Sequence, residues 1–134
     1  MTRPTMVRAA VVVGLLIAAS VRATDLDDLK STTPAERAAA QTALMTSRLG
    51  LTEAQVPKIA ALNQKYAERM EPLLKGSDAP ATRRRAFRSL AQEKEAELKE
   101  ILSPEQYHTF QDAKREMAEQ LLSRIKEQRG SGGK

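Results

Sequence analysis

Three helix starts are written into this chain in nearly the same words, and they leave little room for anything but a helical fold. Thr33-Pro34 with Glu36, Leu51-Thr52 with Gln55, and Leu102-Ser103-Pro104 with Gln106 each place a hydroxyl three residues ahead of a carboxylate or an amide. At that spacing the hydroxyl accepts from the third helical N–H, and the third side chain accepts from the N–H of the cap residue. Two backbone donors that a helix start leaves unpaired are thereby satisfied. Pro34 and Pro104 stand at the first helical position, where a missing N–H costs nothing. Leu51 with Val56, and Leu102 with Tyr107, have the spacing of the apolar staple that sets how the chain enters a helix. No segment alternates polar and apolar residues over the length of a strand.

The punctuation predicts an all-α fold of four helices. The first runs from Pro34 to about Leu49 and is stopped by Gly50. A second starts at the Thr52 cap and carries Val56, Ile59, Tyr66, Met70 and Leu73 at steps of three and four, with Asn63 on the same stripe. Pro57 should weaken its start, and Pro72 should bend or end it near Glu71. The turn Lys75–Pro80 leads to a third helix, about 80–101, with Phe87, Leu90, Ala91, Leu98 and Ile101 on its apolar stripe. The fourth, 104–129, carries Phe110, Met117, Leu121 and Ile125. Because the turn between helices two and three is short, they should form a long central antiparallel hairpin.

Composition narrows the function. There is no cysteine, one histidine, and only four aromatic residues (Tyr66, Phe87, Tyr107 and Phe110) in 134. A core drawn from so few large residues is marginal against chain entropy, so homodimerisation is expected to complete it. Arg3 and Arg8 precede the apolar run Ala9–Ala19, and Val21 and Ala23 have the small-residue pattern of a cleavage site. We read residues 1–23 as a Sec signal peptide, the run being well short of the roughly 20 residues that span a bilayer. Localisation would then be periplasmic. Removing residues 1–23 takes away three arginines and no acid, which lowers the formal net charge from +5 to +2. A nucleic-acid partner is therefore not expected. Thr24–Thr33 reads as a flexible leader, 34–129 as the helical domain and 130–134 as a disordered tail.

Two of the caps form a repeat, Leu51-Thr52-Glu53-Ala54-Gln55 and Leu102-Ser103-Pro104-Glu105-Gln106. Together with the apparent signal peptide and the absence of cysteine, this pair resembles the LTxxQ family of small periplasmic helical proteins, which includes Spy- and CpxP-like chaperones and stress adaptors. The resemblance spans about residues 44–122 and implies bent helices packed as an antiparallel dimer. It also implies an ATP-independent chaperone that holds unfolded or partly folded periplasmic proteins on a concave face. The alternative is an envelope-stress adaptor that binds a membrane sensor kinase, with a periplasmic metal-resistance sensor as a third possibility.

The candidate client-binding residues are Arg83, Arg84, Arg85 and Arg88, with the apolar Phe87, Met70 and Tyr66. Four cations in the first turns of a helix oppose its dipole, and Arg84 and Arg88 repel at the i, i+4 spacing. The cluster is either an electropositive capture patch or a solvated face partly neutralised by acids of a neighbouring helix, and Met70 could equally be core. Glu93, Lys94, Glu95, Glu97, Lys99 and Glu100 read as a solvated face of mixed sign. Leu51, Thr52, Gln55, Leu102, Ser103 and Gln106 read as the structural motif. Glu105-x-x-His108 has the spacing of a metal ligand pair but lacks a second such motif, so no metal or other cofactor is expected. Neither a phosphate loop nor a nucleophile motif occurs, and one histidine cannot build a triad, so the chain is not expected to be an enzyme.

Overall fold

A computed structural model of the protein describes residues 28–132. The expected signal peptide 1–23, residues 24–27 of the expected leader and the final two residues of the expected tail lie outside the described residues. Those described are helical, with no strand among them: α1 (Pro34–Leu49), α2 (Gln55–Lys75), α3 (Pro80–Ile101) and α4 (Pro104–Gly132).

All three capping boxes form. Thr33 Oγ1 accepts from the Glu36 N–H at 3.0 Å while Glu36 Oε1 accepts from the Thr33 N–H at 2.9 Å. α1 ends where Gly50 turns left-handed, at φ 65°, and donates its N–H to the Thr46 carbonyl. At the next start Thr52 and Gln55 exchange the same two bonds, at 2.9 and 3.2 Å, but regular helix begins only at Gln55. Pro57 has no N–H for the Glu53 carbonyl, which leaves residues 53 and 54 as a turn.

Two boundaries differ from expectation. α2 passes through Pro72 and ends at Lys75. The proline removes one bond near the end of the helix, while Leu74, at 0% exposure, anchors the last turn in the core. α4 continues through 130–132, so the first three residues of the expected tail extend the helix.

α1 and α2 meet through Arg37 with Glu71 and Asn63 with Thr42, and α2 and α3 through Lys65 with Glu97 and Arg69 with Glu93. In both cases the contacts step in opposite chain directions along the two helices. Arg48 of α1 reaches Gln120 and Glu116 of α4. The apolar stripes point inward to one cluster that includes Leu44 and Met45 of α1, Ile59 and Met70 of α2, Leu98 of α3, and Phe110 and Leu121 of α4. Leu62 and Leu74 also join it, so the α2 stripe is wider than a three-and-four seam.

The expected flexible leader is corrected over its last six residues. A helical turn at 28–30 puts Leu29 into the core at 0% exposure, and Thr32 is buried with it. Asp-rich composition suggested solvation, but the segment carries one leucine that the core accepts.

Candidate functional site

The repeated motif is one structure rather than two independent caps. Each glutamine, having closed its own box, turns its amide toward the other: Gln55 Nε2 donates to Gln106 Oε1 at 2.7 Å, and Gln106 Nε2 donates to Gln55 Oε1 at 2.9 Å. Each also donates to the end of the helix that precedes the other motif. Gln55 Nε2 reaches the Ile101 carbonyl at 3.1 Å, and Gln106 Nε2 reaches the Leu49 and Gly50 carbonyls at 3.3 and 3.2 Å. Two helix starts and two helix ends are joined by a pair of half-buried amides. This gives a physical reason for glutamine in both copies, since glutamate would supply the acceptor for the box but no donor for the clasp.

The four arginines at the start of α3 differ in exposure. Arg84, Arg85 and Arg88 are exposed, and no hydrogen bond or ion pair among the described residues involves them. Arg83 is half-buried and donates from Nη2 to the Asp78 carbonyl at 3.0 Å. α3 has no side-chain cap and no acid in its first turn, so nothing there offsets the positive end of the helix. Maintaining three unpaired cations at this position costs stability.

The apolar partners proposed for those arginines are not on the surface. Tyr66, Met70 and Phe87 are 0%, 1% and 7% exposed, all within the core cluster. The spacing that brings Phe87 beside Leu90 and Ala91 is used inward, against α2. Tyr66 donates its hydroxyl to Glu97 Oε2 at 2.5 Å, and Lys65 and Arg69 flank its ring with cationic groups 5.1 and 5.2 Å from the centroid. Burial, and then the bond to the Glu97 carboxylate, push the Tyr66 phenol up to about 12. Glu97 in turn is held below the usual carboxylate range by its hydrogen bonds from Lys65 and Tyr66.

Lys94 departs furthest from the sequence reading. Expected on a solvated face, it is 1% exposed and donates from Nζ to Gln41 Oε1 of α1 at 2.9 Å. Burial pushes its ammonium down to about 7, against a smaller upward pull from Glu95. The position was legible, because Lys94 falls between Leu90 and Leu98 on the α3 stripe. Arg37, also missed, is 1% exposed at the start of α1 and pairs with Glu71. Burial alone would raise Glu71, but hydrogen bonds from Lys75 and Arg37 outweigh it and hold the carboxylate below its usual range.

His108 and Glu105 lie on the exposed side of α4, where His108 Nε2 sits 3.2 Å from Asp112 Oδ2. Among the described residues no group of three or more histidines or acids is arranged to hold a metal ion, and no helix is long and apolar enough to cross a membrane. No curated protein and no solved structure matches the chain. Residues 23–110 match the model of DUF4890, a domain of unknown function, and the chain belongs to that family.

Proposed function

We propose that this protein is a nucleotide-independent holding chaperone of the periplasm, and that it captures acidic stretches of unfolded polypeptide on the ridge of Arg84, Arg85 and Arg88. The observation that carries the reading is the state of those three side chains. They are exposed and unpaired at a helix start that already favours anions. The repeated LTxxQ-type motif and the signal-like first 23 residues support the family resemblance and the compartment. In this reading the working unit is a homodimer built on the α2–α3 hairpin, with the ridge repeated on each protomer.

A second reading draws on the burial of Tyr66, Met70 and Phe87. A ridge that is charged but not apolar also fits a folded acidic surface, such as that of a membrane sensor kinase, and the protein would then be a stress adaptor.

The triple variant Arg84→Ala/Arg85→Ala/Arg88→Ala separates the ridge from the fold. We expect its affinity for a labelled acidic protein, kept unfolded by reduction and carboxymethylation, to fall at least about tenfold in fluorescence anisotropy, with a shallower dependence on salt. The thermal midpoint should stay level or rise, because a repulsive cluster is removed. Unchanged affinity would remove the ridge from the account.

A further inference from the structure

A holding protein needs somewhere to place the apolar part of its client, yet the apolar candidates of α2 and α3 are inside the core. One core leucine, however, comes from the chain that precedes the four helices. Leu29 is 0% exposed and belongs to the central cluster, although it sits in a turn of three helical residues separated from α1 by Ser31, Thr32 and Thr33.

The backbone of that segment is held by a side chain. Arg37 Nη1 donates to the Leu29 carbonyl at 2.9 Å, to the Thr32 carbonyl at 2.8 Å and to Thr32 Oγ1 at 3.3 Å, while its Nη2 pairs with Glu71 near the end of α2. The guanidinium is 1% exposed, and its Nε has no acceptor. A buried cation with an unpaired donor is a costly fitting for a segment of six residues, and it reads main-chain carbonyls, which any polypeptide carries. Leucine in a closed apolar pocket and carbonyls on a fixed guanidinium are the elements of a peptide-binding site. The protein's own chain occupies it.

The site lies at the same end of the bundle as the arginine ridge. Arg69 of α2 pairs with Glu93 of α3, and Lys65 with Glu97, so each step of four along α2 is a step of four back along α3. Continuing that register past Glu71 leads to Arg88 and Arg85. The resident segment itself begins Asp28-Leu29, an acid beside a leucine.

We propose that residues 28–33 are an internal stand-in for a client, and that an incoming segment with a leucine next to acidic residues displaces them, its leucine entering the Leu29 pocket and its carbonyls taking the Arg37 donors. This deepens the holding function and rests on it for its biological use, but the groove can be tested alone.

The test uses the full chain carrying Leu29→Asp, which empties the pocket, and a fluorescent peptide with the sequence of residues 25–33. The variant should bind the peptide saturably and at least tenfold more tightly than the wild-type chain does. A peptide bearing the same Leu29→Asp change should bind at least tenfold more weakly. A variant that remains helical and melts cooperatively yet binds neither peptide, or both alike, overturns the groove. If the variant does not fold, hydrogen exchange on the wild-type chain decides. Amides of 28–33 should exchange by a local opening well ahead of the α2 core, and exchange only through global unfolding would overturn the proposal. Peptide binding that succeeds while the variant holds an unfolded acidic protein no better than wild type would count against the holding function and leave the groove standing.

Discussion

Changing Gln106 to Leu should cost roughly 2–4 kcal/mol of folding stability, a large share of what a domain of this size has. The side chain does three things at once. It accepts from the Ser103 N–H, donates to the Leu49 and Gly50 carbonyls, and exchanges hydrogen bonds with Gln55. Leucine keeps the volume and leaves the buried Leu49, the half-buried Ser103 and Gln55 and the exposed Gly50 without these bonds. The cap bond from the Gln106 N–H to Ser103 Oγ survives, so the lost half of the capping box, the bond from the Ser103 N–H, accounts for about 1 kcal/mol, and the stranded carbonyls and the widowed Gln55 supply the rest. Gln55→Leu should cost somewhat less, because its amide serves one helix end, at Ile101, where Gln106 serves two carbonyls. The two residues share a bond, so the double variant should lose at least about 1 kcal/mol less than the sum of the singles. Urea unfolding followed by the helical circular-dichroism signal measures all three. Strict additivity would mean that the clasp is two separate caps.

Lys94→Met should act in the opposite direction, raising stability by about 1–3 kcal/mol at pH 7. The lysine is enclosed by α3 and α1, and its ammonium is pushed by burial from 10.5 down to about 7. Between about 7 and 10.5 the unfolded chain binds more protons at this site than the folded one. Wild-type stability therefore rises with pH across that window, by up to about 1.4 kcal/mol per unit. Below the window both states are charged and the full cost of burial is present. Methionine removes the cost and the slope together, at the loss of the bond to Gln41. Urea titrations of both proteins at pH 7 and pH 9 check this below the range where Tyr66 intervenes. Its phenol, raised to about 12, lets stability fall again as pH climbs past its ordinary value of 10.0. A variant less stable than wild type at pH 7, with the slope intact, would mean that the ammonium is paid for by its partners.

What could be read from the residues follows the range of the interactions involved. Capping boxes are local, needing four consecutive residues, and all three form where Thr33, Thr52 and Ser103 indicated. The clasp between Gln55 and Gln106 joins residues 51 positions apart, and the repeat hinted at it only by using glutamine twice. Periodicity found the apolar stripes of α2 and α3 but not their destination: the same spacing that buries Tyr66, Met70 and Phe87 would serve an exposed greasy face. Charge misled at one position and was silent at another. Lys94 was read as part of a solvated face, whereas its place between Leu90 and Leu98 sends it inward, and Arg37, for which no reading was made, stands one and two turns ahead of Ala40 and Leu44 on the buried face of α1. Leu29 shows the converse, since acidic neighbours masked an apolar side chain that the core takes up. The ridge of Arg84, Arg85 and Arg88 was legible because exposure at a helix start needs no partner to be inferred.

The most direct test of the holding function is light scattering from a chemically denatured, aggregation-prone acidic protein diluted into buffer with the purified chain, without nucleotide, at low and at moderate salt. The account predicts suppression near a one-to-one ratio that weakens as salt rises. Full aggregation at several-fold excess of the chain, at either salt concentration, would contradict it.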